Sequence, residues 1–212
     1  MYKDREEESI KQFDKWASKY DHGLWNSYFK SAYSKVINIS EKYISPGAKV
    51  LDIGCGTGEL EFLLSEKVGK GEIVGLDISK IMVERAEEKR LQAKLDNVKF
   101  VISKANPLPC NDSVFDIVFC LNSLHHFPNH EDFLKEVSRV LKRGGRFVLL
   151  DLVEDNVIRK AWVNISKIIF REWDVEFHSS KEIASLIGNA GLKLENQRYF
   201  MFFTSVSISM KL

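Results

Sequence analysis

The sequence predicts an α/β fold in which helices cover both faces of a largely parallel sheet. Three observations carry the prediction. Val50-Leu51-Asp52-Ile53 reads as a buried strand, and Gly54-Cys55-Gly56-Thr57-Gly58 follows as a glycine turn opening onto a helix. A second apolar strand, Ile73-Val74-Gly75-Leu76, is closed by an acid, Asp77, roughly 20 residues past the turn. Later strands recur as continuous Val, Ile, Leu and Phe runs between helical patterns, as strands buried on both faces require. A strand, a glycine loop, a crossover helix and an acid ending the next strand make a nucleotide-cradling half of a Rossmann-like, three-layer αβα sandwich.

The elements follow in order. Ile10, Phe13, Ala17 and Tyr20 recur at helical spacing and give one apolar stripe. Asp21-His22-Gly23 breaks it, and a second helix is expected from about residue 27 to 43, before the turn signal Ser45-Pro46-Gly47. The first strand is expected at Lys49–Ile53 and the next helix at 57–68, stopped by Gly69. Ser79 suits an N-cap for a helix reaching about Lys94. Strands are expected at 98–102, 115–121 and 145–151. Residues 156–171 form an aromatic-rich amphipathic stretch, and Ser180 is expected to cap a helix ending near Gly191. Two strands, 193–200 and 205–211, then flank Met201-Phe202-Phe203-Thr204. No repeat, low-complexity tract or linker divides the chain. One domain, 1–212, is expected: an N-terminal helical cap over 1–45, a ligand-binding core over 46–151, and substrate-side helices with a strand pair over 152–212.

Composition narrows the function. With 212 residues, 44% of them hydrophobic, the chain can bury a sizeable core. Its 31 basic and 30 acidic residues give a net charge of +1, so no global field draws nucleic acid or an anionic membrane. No apolar run approaches the roughly 20 residues that span a bilayer. The start, Met1-Tyr2-Lys3-Asp4-Arg5-Glu6-Glu7-Glu8, is too charged for a signal peptide, and a cytoplasmic location is expected. Cys55, Cys110 and Cys120 are odd in number and form no C-x-x-C pair, so neither a disulfide framework nor a zinc site is indicated. They read as reduced, mostly buried thiols.

The glycine run favours one kind of ligand. A dinucleotide fingerprint is G-x-G-x-x-G, with a pyrophosphate on the helix N-terminus. Here a single residue separates Gly56 from Gly58, and Asp52 precedes Gly54 by two positions. A carboxylate there disfavours a pyrophosphate and favours a cationic ligand. The run resembles motif I of class I S-adenosylmethionine-dependent methyltransferases, and Asp77 is similar to their ribose-binding acid. The resemblance continues through Asp112-Ser113-Val114-Phe115-Asp116-Ile117-Val118, the loop Asn122-Ser123-Leu124-His125-His126-Phe127-Pro128, and the helix, Gly144-Gly145 turn and strand that follow. It covers residues 46–151 closely and is nearest the small-molecule type 11 group.

That resemblance implies a seven-stranded mixed sheet with an antiparallel C-terminal pair, S-adenosyl-L-methionine as cofactor, and transfer of its methyl group to a small-molecule acceptor. Backbone groups of Gly54 and Gly56 would meet the methionine part, with Asp52 holding the loop and the ammonium. Asp77 would take the ribose hydroxyls, or alternatively serve only as a helix N-terminal charge. Ile78 would pack on the adenine, beside Lys104, Ala105, Asn106 and Leu121. Type 11 relatives commonly carry an acid where Lys104 stands. Lysine is a pure donor and cannot accept from the adenine amino group, so that acceptor falls to Asn106 or Ser103. Tyr20, in Phe13-Asp14-Lys15-Trp16-Ala17-Ser18-Lys19-Tyr20-Asp21, reads either as a tyrosine closing over the cofactor carboxylate or as a core tyrosine.

Methyl transfer needs alignment more than acid–base machinery. A base is required only for an acceptor protonated at neutral pH. His126, with His125 beside it, lies on the right loop for that role or for shaping the loop. His22 and His178 are weaker possibilities, and His130 reads as a helix-start residue. Trp16, Trp25, Tyr28, Phe29, Trp162, Phe170, Trp173 and Phe177 either line an acceptor pocket for an apolar or aromatic molecule or staple the cap to the sheet. Metal binding, nucleic-acid binding and membrane insertion are not expected, and the chain is expected to be a monomer or homodimer. The rival readings are a non-catalytic partner module on this fold and, less well supported, an NAD-dependent oxidoreductase.

Overall fold

The computed structural model describes Glu7, residues 10–15, Ala17, and residues 23–170, 175–200 and 203–212. Tyr20, with the break at Asp21-His22, lies outside these residues. Residues 10–15 are helical. Helix α1 (Gly23–Ser40) leads into β1 (Lys49–Ile53), α2 (Glu59–Val68), β2 (Glu72–Asp77), α3 (Lys80–Ala93), β3 (Val98–Ile102) and β4 (Phe115–Leu121). Then come α4 (His130–Val140), β5 (Leu141–Leu152), α5 (Val157–Phe170), α6 (Ser180–Asn189), β6 (Leu192–Phe200) and β7 (Thr204–Lys211).

The seven strands form one sheet in the order β3-β2-β1-β4-β5-β7-β6. Strands β1 to β5 pair in parallel, and β7 pairs antiparallel with both β5 and β6. The expected mixed sheet with an antiparallel pair is therefore present. Strand order reverses between β1 and β4, and ligands in such sheets bind beyond the strand ends at that point.

Alternation along the strands divides the core. Leu51 and Ile53 face Phe133, Leu134, Val137 and Val140 of α4 and Ile183 and Ile187 of α6. Val50 lies on the opposite face with Leu60, Leu64 and Val68 of α2 and Ala32, Val36 and Ile37 of α1. Phe119, Phe133 and Phe147 are wholly buried, each contributing about 1.5–3 kcal/mol of transfer free energy.

Of the boundaries that differ from the sequence reading, three have a clear local reason. Helix α1 begins at Gly23 rather than near residue 27, because a first-turn amide has no helical partner to lose and glycine is tolerated there. Strand β5 begins at Leu141 rather than 145: Leu141 pairs with Phe115, and a register shift absorbs the Gly144-Gly145 turn. Helix α6 is capped by Ser179, not Ser180. Ser179 Oγ accepts from the Glu182 amide at 3.3 Å while the Glu182 carboxylate accepts from the Ser179 amide at 2.7 Å, a reciprocal capping box. Ser180 Oγ instead donates to Asp155 at 2.6 Å. No described helix is long and apolar enough to cross a membrane.

Candidate active site

A cleft of about 290 Å³ opens at the ends of β1, β2 and β4. Its first wall is the glycine turn. The amides of Gly54 and Cys55 both donate to the Leu76 carbonyl, at 2.8 and 3.0 Å, which clamps the turn to the end of β2. Asp77 completes the clamp. Its Oδ2 accepts from the Gly56 amide at 2.9 Å and its Oδ1 from the Ser79 amide at 2.8 Å. Gly54 has φ +81°, and a Cβ there would run into Ser123. Ser79 Oγ, which caps α3, also donates to Asp14 at 2.6 Å, so the N-terminal helical segment is tied over this wall.

Two acids lie beneath the cleft. Asp52 is 3% exposed and Glu61 wholly buried. Asp52 pairs across the sheet with Gly75, and a Cβ on Gly75 would collide with the Glu61 carboxylate, so the missing side chain makes room for that acid. Asp52 Oδ1 and both Glu61 oxygens have no hydrogen-bond partner among the described residues. Burial, and then the negative charge of Asp77, push Asp52 up to about 8. Burial and the charge of Asp52 hold Glu61 well above the ordinary glutamate range. Both carboxyls are thus held towards their protonated forms, as closely placed buried acids are. Asp77 is raised as well, chiefly by burial, against the opposing pull of its amide donors.

The far wall is the segment after β4. His125 Nδ1 lies 2.6 Å from Asp151 Oδ1, and the His125 amide donates to Asp151 Oδ2 at 3.1 Å. Phe177 stacks on the His125 ring at 4.8 Å. His126 lines the cleft, with its ring 4.1 Å from that of His125 and edge-on to Phe13 at 4.8 Å. Burial, then the neighbouring His125, hold His126 well below the usual imidazole range, so it is neutral at pH 7.

Of the residues expected from sequence, Gly54, Gly56, Asp77, Ile78, Ala105, Asn106 and His126 meet around this cleft, with Ser103. Asp52 lies beneath the floor rather than on the wall. Two placements differ. Leu121 is buried with the β4 side chains that face α1 and α2, because the strand's alternation turns it away from the cleft. Lys104 is exposed and off the wall, between Ser103 and Ala105 that line it.

The sequence reading missed most of the aromatic wall. Phe127, Pro128, Asn129, Phe133 and Met82 line the cleft with Phe13. Phe133 and Met82 are core positions of periodic helices, and no local signal marks their ends as cleft-facing. Of the aromatic set expected there, Trp16, Trp173 and the side chains of Trp25 and Phe170 lie outside the described residues; Tyr28 stands edge-on to Phe29 at 5.5 Å, Phe29 packs into the core, Phe177 backs His125, and Trp162 stacks on Phe203. These act as staples. All three cysteines are free, and burial raises the Cys55 and Cys120 thiols well above their ordinary range.

A family model described as a methyltransferase domain matches residues 44–191. The chain is 30% identical to a demethylmenaquinone methyltransferase of Bacillus cereus, over 95% of this chain and 94% of that one. It is 31% identical to a 27-O-demethylrifamycin SV methyltransferase of Amycolatopsis mediterranei, over 65% of this chain and 53% of that one. A SAM dependent methyltransferase from Aquifex aeolicus superposes with a TM-score of 0.74 at 22% identity, covering 94% of this chain and 98% of that one. The YcgJ protein from Bacillus subtilis superposes with a TM-score of 0.70 at 28% identity, over 79% and 73%.

Proposed function

Because the chain belongs to the class I S-adenosylmethionine-dependent methyltransferases, which take a methyl group from that cofactor, we propose that its cleft seats the cofactor on Asp77 and the glycine turn and takes an apolar or planar small-molecule acceptor against the aromatic wall. The residues fit such a cofactor. Its ammonium and sulfonium are cations, and beneath the cleft lie two buried carboxyls, Asp52 and Glu61, with oxygens that have no hydrogen-bond partner among the described residues. Each Asp77 oxygen accepts one amide and keeps a lone pair for a ribose hydroxyl. Ile78 and Ala105 offer apolar surface to the adenine, and the Asn106 side chain can accept from its amino group. Asp77, fixed by two amides at the mouth of an acidic cleft, is the observation that carries this reading.

When bound, the cofactor supplies an electrophilic methyl group. The chain does the rest. The Asp77 clamp fixes the ribose. Phe127, Phe133, Met82 and Pro128 exclude water and hold a flat apolar acceptor. His126, neutral and edge-packed by Phe13, removes a proton from an acceptor hydroxyl or amine through a ring nitrogen. The names of the relatives, demethylmenaquinone and 27-O-demethylrifamycin SV methyltransferases, support a small-molecule acceptor. Calorimetry with S-adenosylhomocysteine and NADH tests the cofactor site; binding of NADH alone would overturn the reading. Turnover of labelled cofactor with a panel of flat phenols and hydroxyquinones, set against charged aliphatic amines, tests the acceptor class.

A further inference from the structure

Outside the cleft, the start of α4 meets the chain between α5 and α6. His130, 6% exposed, turns its Nδ1 to within 2.6 Å of His178 Nε2. The Glu176 carboxylate joins them, so that one donor atom from each of the three lies within 4.8 Å of the others. Two imidazoles and a carboxylate at this separation offer two borderline nitrogens and one hard oxygen, the donor set that zinc and its neighbours in the d-block take.

We propose that His130, Glu176 and His178 bind a divalent d-block cation, zinc by preference, which clamps the 175–179 segment to the start of α4. The two nitrogens stand closer than the ~3.3 Å that tetrahedral zinc imposes at bonds of about 2.0–2.1 Å. A small swing of His178, which is only partly buried, opens the pair to that distance, and water fills the remaining position. The consequence reaches the cleft. The Glu176 amide donates to the His125 carbonyl at 3.0 Å, and Phe177 stacks on the His125 ring. Fixing Glu176 and His178 on either side of Phe177 fixes the backing of His125, and through it His126. The clamp is independent of which acceptor is methylated.

The test uses the full chain stripped with chelator. Titration with zinc chloride by calorimetry is expected to show one equivalent bound, with a dose-dependent rise in Tm, while magnesium chloride gives neither. Cobalt chloride is expected to give the visible absorption of a four-coordinate ion. His178→Gln and the exposed-site variant Glu176→Gln should each weaken zinc binding at least tenfold while keeping the wild-type circular dichroism. Absence of zinc binding to the wild-type chain overturns the proposal, and so does undiminished binding by both variants, which would mark an adventitious ion only.

Discussion

The carboxylate of Asp77 accepts the amide of Gly56 at 2.9 Å. The acid that ends β2 therefore shapes the turn that follows β1. Asp77→Ala removes a charged acceptor from two backbone amides as well as the proposed partner of the ribose. Each charge-assisted bond contributes about 1.5–3 kcal/mol. Cofactor affinity is expected to fall roughly 10- to 150-fold, with a lowered Tm because the turn loosens too. Unchanged affinity by calorimetry would remove Asp77 from the site.

Asp52 and Glu61 make stability depend on pH in a particular direction. Burial raises both folded pKa values, reinforced by the charge of Asp77 on Asp52 and of Asp52 on Glu61, and Asp52 reaches about 8, whereas an unfolded aspartate titrates at about 3.9. The folded chain thus holds a proton that the unfolded chain has already released. Stability is greatest below about pH 4 on this account and declines as pH rises towards about 8. Glu61→Gln, whose amide can donate to Asp52, is expected to flatten that decline. Urea melts from pH 5 to 9 check it, and an unchanged slope refutes the raised pair.

The same pair couples to the ligand. A cation over the floor favours the ionised form of both acids, so cofactor binding should release protons near neutral pH. Calorimetry in phosphate and Tris, which differ in ionisation enthalpy, is expected to give buffer-dependent binding heats for the wild type. The dependence should shrink in Glu61→Gln. Equal heats in both buffers would mean that the pair keeps its proton.

How far the sequence reached this site follows from what each residue does locally. Gly54, Gly56 and Asp77 were legible because a glycine turn and the acid closing the next strand are consecutive features with one geometric reason. The Ser79 cap of α3 was legible on the same grounds, its side chain accepting from the Met82 amide at 3.1 Å. The aromatic wall was not. Phe133 and Phe127 reach the cleft only through the way α4 packs on β5, which no short window records. Leu121 was misplaced because position in a strand end was weighed and its facing was not. Glu61 carried no signal at all: inside a helix it reads as a surface acid, and only the absence of a side chain on Gly75 lets it go inside.

Lys104 supplies a negative control. It is exposed and lies off the cleft wall, although its neighbours Ser103 and Ala105 line it. Lys104→Ala is expected to leave cofactor affinity within about twofold, an effect smaller than the ±0.5 kcal/mol of ordinary surface changes. Asn106→Ala is expected to weaken binding about tenfold, as leaving the adenine amino group without its acceptor costs about 1–3 kcal/mol. Calorimetry of both variants separates the two residues, and the reverse order would return the adenine to the lysine.

His126 decides whether the enzyme uses a base. Its ring is neutral at pH 7 because burial and His125 disfavour the imidazolium, and a neutral imidazole can accept a proton. His126→Phe keeps an aromatic ring in contact with Phe13 and should leave cofactor affinity unchanged. With a hydroxyl acceptor, kcat is expected to fall on the order of 10²–10⁴-fold while KM moves little. Activity should recover as pH rises through the acceptor's own pKa, since the hydroxyl then ionises without help. A variant that loses KM instead, with no recovery at high pH, would show that the ring only shapes the wall and that alignment alone drives the transfer.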